Sequence, residues 1–448
     1  MLFKKNISKN ISLFTFCNFI RIICSLLITV PLTTYYLEVK DLSLVVLFTA
    51  MSSILLQPLQ CGGSSVVNAY YFSKSDLFMK KLLFHLFCLP VILKITSILV
   101  IIFIYESLSL GEFLIVSEDF KTLILILISN TLIDSRIVLY QIFTNNLEIL
   151  NYFTFLLIEI LSTNFFIFYF LSEIPDCFGY ALSLLISSFL IFITGIYFVR
   201  KKVSFNLDKR YLIIIFKKGL RLYPYELFLI ITQKVDYLLL SKYVSPTSLA
   251  ILQHAKSYPE KIEIFMKSFY QSLIVQFMNA LANKNKNLMK SVFLYDTFWY
   301  ILLFLGGLFT IMFIESIIKL LTHGKLIDSY LIVCILYISL YFRSNQQFYI
   351  SILQYNKKIE LFTISSSILS LIYLVVLLLY LWKFGLNLQA IVFLFLFFSL
   401  LKWIVLKYLS SKYHSFPFHK SVPFYLSLLS YMTILFYSKW SSLSLFFS

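Results

Sequence analysis

Residues 178–199 read FGYALSLLISSFLIFITGIYFV, and residues 200–210 continue as RKKVSFNLDKR. The first segment holds 22 residues and no charge. As a helix it would be about 33 Å long, which is enough to cross the roughly 30 Å hydrocarbon core of a bilayer. The second segment is strongly basic, as are the cytoplasmic ends of membrane helices. The pattern predicts a transmembrane helix that ends in a cytoplasmic basic loop.

The composition of the whole chain extends this prediction. Of its 448 residues, 60% are hydrophobic and 13% are charged, and the mean hydropathy is +0.87. A soluble domain carries roughly 25% charged residues, so a water-soluble enzyme is excluded. The length accommodates about a dozen membrane helices. We therefore predict an all-α, polytopic membrane protein.

Apolar runs separated by polar breaks predict about 12 spans in two six-helix bundles. The spans fall near 11–36, 43–68, 82–104, 121–143, 150–172, 178–199, 219–240, 246–279, 291–315, 327–351, 360–382 and 388–408. The predicted domains are an N-terminal bundle over 1–199, a cytoplasmic basic loop over 200–218, a C-terminal bundle over 219–408 and a basic tail over 409–448. Within this tail, 422–438 is apolar and could span the membrane or lie in its interface.

The distribution of basic residues predicts the orientation of these spans. With the N-terminus in the cytoplasm, 21 Lys and Arg residues fall in inner segments and 6 in outer segments. Such a bias is typical of cytoplasmic loops. The net charge of +17 therefore reflects topology, and we expect no nucleic-acid partner.

Charged residues within the predicted spans are candidates for a transport pathway, because a charge at bilayer depth is costly. The eighth span places its polar residues on one helical face: Gln253, Lys256, Glu260, Glu263, Lys267 and Gln271. Lys256 with Glu260, and Glu263 with Lys267, are four residues apart and can pair. The alternative is an amphipathic helix lying in the membrane interface.

Other spans contribute single charged groups. We expect these to face a polar interior: Arg21, Asp134, Arg136, Glu159, Lys234, Asp236 and Arg343. Lys94 and Arg221 could instead extend toward the headgroups. Prolines recur in matching spans of the two halves (Pro31 with Pro224, Pro58 with Pro259), which indicates broken helices along a substrate path.

The sequence predicts neither a metal site nor catalytic residues. The six cysteines form no CxxC pair, and the histidines form no HExxH motif. We expect no cofactor, no disulfide framework and no enzymatic activity.

The pattern resembles a known family, the polysaccharide-exporting flippases of the MOP superfamily, which share the MATE-like fold, and among them the O-antigen repeat-unit flippases (Wzx-type). The resemblance covers most of the chain in length and six-plus-six layout. Locally it rests on Asn6 to Tyr36, on Gly219-Leu-Arg-Leu-Tyr-Pro224, on Gln233-Lys-Val-Asp236-Tyr-Leu-Leu-Leu240 and on Ser248-Leu-Ala-Ile-Leu252.

This resemblance implies a multi-pass protein of the bacterial inner membrane that moves an undecaprenyl-pyrophosphate-linked oligosaccharide to the outer leaflet. Its expected partners are this substrate, membrane lipids and other polysaccharide-assembly proteins. A cationic lumen would bind the substrate through Arg21, Arg136, Lys234, Lys256, Lys267 and Arg343. Candidate carriers of the coupling ion are Asp134, Glu159, Asp236, Glu260 and Glu263.

Three alternatives stay open at this point. A membrane polysaccharide polymerase or glycosyltransferase would need a large outer loop, whereas the predicted outer segments are short. A major-facilitator transporter would carry a glycine motif between spans two and three, and Ser73 to Lys81 has no glycine. A drug or teichoic-acid exporter of the MOP superfamily is not distinguished by sequence.

Overall fold

The computed structural model consists of helices and short connections in every range that it describes. These ranges are 16–60, 75–107, 117–145, 148–200, 202–204, 208–217, 240, 245–282, 286–356, 358–384, 388–413 and 422–439. No strand occurs within them. The predicted all-α fold is therefore confirmed.

The chain divides into two compact units. The first unit is Ile23–Lys242, and the second unit comprises Met1–Ile22 together with Tyr243–Ser448. Helix α1, Phe16–Tyr36, contributes residues to both. The bundle boundaries that the sequence suggests, 1–199 and 219–408, stay a prediction.

In the first unit, helix α4 is the central element because it packs against α2, α3, α5 and α6. The helices of this unit are α2 (Val39–Leu56), α3 (Asp76–Ser107), α4 (Ser117–Asn145), α5 (Ile149–Glu173), α6 (Cys177–Val199) and α7 (209–217). Phe48 of α2, Leu127 of α4 and Ala181 of α6 belong to one buried apolar cluster. This cluster fixes the positions from which the polar residues of α4 reach their neighbours.

Helices α5 and α6 form a tight antiparallel hairpin. The Asp176 side chain caps α6 by accepting a hydrogen bond from the Gly179 N–H at 2.8 Å. A Cβ on Gly179 would lie 2.0 Å from the Ile174 carbonyl oxygen. Glycine is required here because the chain reverses against its own backbone.

Helix α1 contains a π-helical turn at Ser25–Thr29, where the Val30 N–H donates to the Ser25 carbonyl five residues earlier. Pro31 follows this turn and has no N–H to donate. Of the other prolines expected to break helices, Pro58 lies in a 3₁₀ turn after α2 and Pro259 lies inside α8. Pro224 lies outside the described residues.

In the second unit, α10 is the central helix because it packs against all five others. The helices are α8 (Pro246–Ala282), α9 (Lys286–Leu321), α10 (Ser329–Tyr355), α11 (Ile359–Phe384), α12 (Leu388–Ser411) and α13 (Val422–Ser438). Every side chain over 331–342 of α10 is buried. Polar groups on α10 are therefore enclosed by its neighbours.

The apolar C-terminal segment over 422–438 forms α13 and docks on α9 and α10. Its Tyr431 hydroxyl donates to the Cys334 carbonyl at 2.8 Å. The Tyr431 ring lies 2.6 Å from the position of a Cβ on Gly307. Gly307 therefore allows the aromatic ring to reach the backbone of α9.

Nine helices in the described part of the chain are long and apolar enough to cross a membrane. Helices α8 and α10 are also long, with 37 and 27 residues, but they carry more polar and charged residues. The chain is a multi-pass membrane protein, as predicted. The predicted seventh span, 219–240, lies almost entirely outside the described residues.

Candidate functional site

The first unit contains a buried ion pair between α3 and α4. The Lys94 Nζ lies 2.5 Å from the Asp134 Oδ2, and the two side chains are 1% and 25% exposed. A small cavity of about 30 Å³ beside the pair is lined by Gln60, Thr131 and other residues. The expectation that Lys94 could extend toward the headgroups is wrong, because Asp134 holds its ammonium inside the helix bundle.

A second ion pair joins α4 to α5. Arg136 donates from Nη1 to Glu159 Oε1, while the Tyr140 hydroxyl donates to the other carboxylate oxygen, Oε2. Glu159 is buried and Arg136 is half-buried. Both oxygens of Glu159 are therefore engaged, and its charge is compensated within the first unit.

Uncharged polar groups add two further contacts between helices of the first unit. Asn130 of α4 donates to the Ser52 hydroxyl at 2.7 Å. The Thr29 hydroxyl donates to Asn164 of α5 at 2.8 Å. Each contact satisfies polar atoms that would be costly to leave unpaired in an apolar interior.

The second unit brings two cations of the predicted lumen to one aromatic ring. Lys256 of α8 and Arg343 of α10 lie 5.2 Å and 5.4 Å from the centroid of Phe395 on α12. Arg343 also donates from Nη1 to Glu263 Oε2. We call Lys256, Glu263, Arg343 and Phe395 the α8–α10–α12 cluster.

In the α8–α10–α12 cluster, Glu263 has a partner that the sequence did not predict, Arg343 of α10. The sequence predicts a pair with Lys267, four residues further along α8, and that pair stays a prediction. The Lys267 side chain lies outside the described residues. Gln253, on the same predicted face of α8, has a buried Oε1 that accepts no hydrogen bond from the described residues.

Two further predicted site residues belong to the described part of the chain. Arg21 lies half-buried on α1, and Glu260 lies half-buried on α8. Lys234 and Asp236 lie outside the described residues. The sequence did not reveal Phe395 and Tyr140 as members of a site, because each is one aromatic residue among 79 Phe and Tyr.

The described part of the chain contains no group of three or more His, Cys, Asp or Glu residues that could hold a metal ion. Its charged clusters instead combine one carboxylate with one or two cations. In such a cluster, an incoming anion can replace the carboxylate at the cation, because both anions form the same kind of charge-assisted hydrogen bond. The replaced carboxylate is then separated from its cation.

No protein-family model matches this sequence, and no curated protein matches it. Solved structures are similar over most of the chain. The lipid II flippase MurJ, in an inward closed conformation, has a TM-score of 0.70 at 17% identity, and the match covers 95% of this chain and 91% of the flippase. A MOP-superfamily transporter from Pyrococcus furiosus has a TM-score of 0.64 at 14% identity, covering 91% of this chain and 97% of its own.

An inward-facing multidrug-resistance MATE-family transporter of the MOP superfamily is also similar. Its TM-score is 0.62 at 14% identity, and the match covers 92% of this chain and 95% of the transporter. The chain therefore has the fold of MATE and other MOP-superfamily transporters, as the sequence predicted.

Proposed function

We propose that the chain is a flippase for a lipid-linked oligosaccharide, namely an O-antigen repeat unit on undecaprenyl pyrophosphate. It moves this substrate from the inner to the outer leaflet of the bacterial inner membrane by alternating access, coupled to an ion gradient. The observation that carries the proposal is the α8–α10–α12 cluster. It presents two cations, Lys256 and Arg343, within one unit.

The chemistry of Arg343 suits a pyrophosphate. A guanidinium binds phosphate and carboxylate with the same fork of N–H donors. In the α8–α10–α12 cluster a carboxylate, that of Glu263, occupies this position. Glu263 therefore acts as an internal substitute for the substrate anion. It keeps Arg343 compensated when no substrate is bound, and the substrate phosphate takes its place.

The paired carboxylates are the proposed ion carriers. Asp134, Glu159 and Glu263 each lose a positive partner when Lys94, Arg136 or Arg343 moves away. A carboxylate without its cation is the group that attracts a proton or Na⁺. Arg21, Lys234, Lys267, Asp236 and Glu260 remain candidates for the same pathway on the basis of the sequence.

Substitution of Arg343 tests the function. Each variant is expressed in a strain from which the natural gene is deleted. Arg343→Ala is expected to abolish surface polysaccharide, whereas Arg343→Lys keeps part of it because the charge is retained. The double variant Arg343→Gln with Glu263→Gln removes both charges, so it is expected to fold but not to export. Immunoblotting measures the polysaccharide and the protein in the same cells.

Lys412→Ala is the matched control because Lys412 is an exposed cation outside the cluster. It is expected to export normally. Normal polysaccharide from the double variant would show that Arg343 and Glu263 do not handle substrate. Accumulation of lipid-linked repeat units in the membrane of the inactive variants would place the defect at translocation.

A second candidate is another exporter of the same superfamily, for drugs or teichoic acid. The similarity in fold to the multidrug-resistance MATE transporter favours it. Efflux of a fluorescent cationic drug from cells that express the chain would support this candidate. A cationic drug is a poor match for Lys256 and Arg343, which would repel it.

A further inference from the structure

The first unit contains an apolar groove between α3 and α6 that none of its ion pairs enters. Its volume is about 220 Å³. Phe87 of α3 and Phe192 of α6 stack between the two helices, with ring centroids 5.6 Å apart and an interplanar angle of 15°. Ile92 and Ile196 line it from positions that are 58% and 42% exposed. The groove is therefore open to the surroundings of the helices.

The lining of the groove is suited to hydrocarbon. Apart from Arg200, every side chain that lines it is apolar. Its volume exceeds the roughly 150 Å³ of an engineered apolar cavity that stays dry and binds benzene. A groove of this size takes a segment of one extended hydrocarbon chain, and water has no polar partner in its walls.

Arg200 gives the groove a charged end. It is the first residue after α6, and its guanidinium lies 4.0 Å from the centroid of the Tyr197 ring. No carboxylate pairs with Arg200 within the part of the chain that the structure describes, whereas nearby Lys202 is paired with Glu148. Arg200 is exposed, so its N–H donors can reach an anion outside the protein.

We propose that this groove binds an anionic phospholipid. One acyl chain lies between α3 and α6 over Phe87 and Phe192, and the lipid phosphate is held by Arg200. The combination of an all-apolar groove with one cation at its end matches a single phosphodiester attached to hydrocarbon. The proposal is independent of the transported substrate, because it involves neither the α8–α10–α12 cluster nor the paired carboxylates.

The test is native mass spectrometry of the purified full-length protein titrated with phosphatidylglycerol or with zwitterionic phosphatidylcholine. Phosphatidylglycerol is expected to bind more tightly. Arg200→Gln is expected to weaken phosphatidylglycerol binding about tenfold, the loss of one charge-assisted contact, and to weaken phosphatidylcholine binding less, because the choline cation already offsets the charge of its phosphate. Lys217→Gln, which removes an exposed cation away from the groove, is the charge control and is expected to bind as the wild type does.

A second pair of variants tests the acyl chain. Ile196→Trp is expected to fill the groove and weaken binding of both lipids. Ile193→Trp places the same side chain on a 49% exposed position of α6 that does not line the groove, and it should have no effect. Both positions are exposed, and size-exclusion profiles and thermal unfolding serve to check that the variants fold.

Three results would overturn the proposal. The first is wild-type phosphatidylglycerol binding by Arg200→Gln. The second is an equal loss of binding in Ile193→Trp and Ile196→Trp. The third is displacement of phosphatidylglycerol by undecaprenyl phosphate at equimolar concentration, which would assign the groove to the transported lipid.

Discussion

At the scale of single residues, the buried charges of this protein are held by partners on neighbouring helices. Lys94 and Asp134 are unequal partners, since Lys94 is almost fully enclosed and Asp134 is partly open. Removing one member of a buried pair leaves the charge of the other uncompensated. The cost in stability is larger when the remaining residue is more deeply buried. The two possible deletions should therefore have different effects on stability.

We predict that Asp134→Asn destabilises the protein by about 3–5 kcal/mol, because Lys94 keeps a buried charge. Lys94→Met should cost less, since Asp134 is less deeply buried than Lys94. The double variant Lys94→Met with Asp134→Leu should recover most of the loss, because an apolar pair replaces the ions. Thermal unfolding in detergent ranks the three variants by stability.

A pair that is partly open to solvent serves as the control. Lys439 and Glu315 lie 3.4 Å apart, and Glu315 is 48% exposed. Lys439→Met should change the stability by less than about 1 kcal/mol. If Lys94→Met proves more damaging than Asp134→Asn, burial does not set the cost of breaking the α3–α4 pair.

At the scale of elements, the connection after α6 is attached to α3. The Asp208 N–H donates to His85 Nε2 at 3.1 Å, and the rings of His85 and Tyr211 stack 5.4 Å apart. Asp208 also caps α7, because its Oδ1 accepts from the Arg210 N–H at 3.0 Å. This bond is the main reason that the pKa of Asp208 lies below its ordinary value of 3.8.

We predict that Asp208→Ala increases hydrogen exchange over 209–217, whereas Asp208→Asn preserves protection because an amide oxygen can also cap a helix. A carboxyl with a lowered pKa stabilises the folded form above its unfolded pKa. Protection of α7 should therefore hold at neutral pH and fall as the pH drops through the pKa of Asp208.

Exchange measured by mass spectrometry, corrected for the intrinsic effect of pH, gives this comparison. The first turn of α6, capped by Asp176, is the internal control and should be unchanged in both variants. Equal protection of α7 in the Ala and Asn variants would show that the docking of His85 and Tyr211, and not the cap, holds this helix.

The long apolar helices could be predicted from the sequence, but the short helix α7 within the basic loop and the partners of the polar side chains could not. Apolar runs of about 20 residues in a lipid solvent leave the backbone few alternatives to helix. They therefore gave α6 within one residue and placed α13 at 422–438. The contact of Glu263 with Arg343 was not predicted, because spacing within α8 indicates Lys267 as a partner but says nothing about which helix packs opposite.

At the scale of the whole molecule, the alternation of basic and weakly charged connections makes a prediction of topology. Reporter fusions at Ile174, in the turn between α5 and α6, and at Glu112, which lies outside the described residues, should indicate the outside. A fusion at Lys202 should indicate the cytoplasm. Alkaline phosphatase and fluorescent-protein fusions report the two sides.

Each helix that crosses the bilayer carries the chain to the opposite side. The fusions therefore test the predicted number of spans. A fusion at Lys412 tests the second half in the same way and should be cytoplasmic. Should Lys202 and Lys412 report opposite sides, the number of crossings between them would be odd. The interfacial placement of α8, the alternative that its sequence allows, would account for such a result.

The π-helical turn at Ser25–Thr29 determines in which direction around the helix axis the preceding side chains of α1 point. A π-helical turn accommodates one residue more than an α-helical turn over the same length. One residue corresponds to about 100° of rotation in an α-helix. If this turn wound as a regular α-helix with all its residues kept, the preceding segment would rotate by roughly that angle, whereas loss of one residue together with regular winding would leave its direction nearly unchanged. The direction in which Arg21 points thus depends on the winding of a turn that does not contain it.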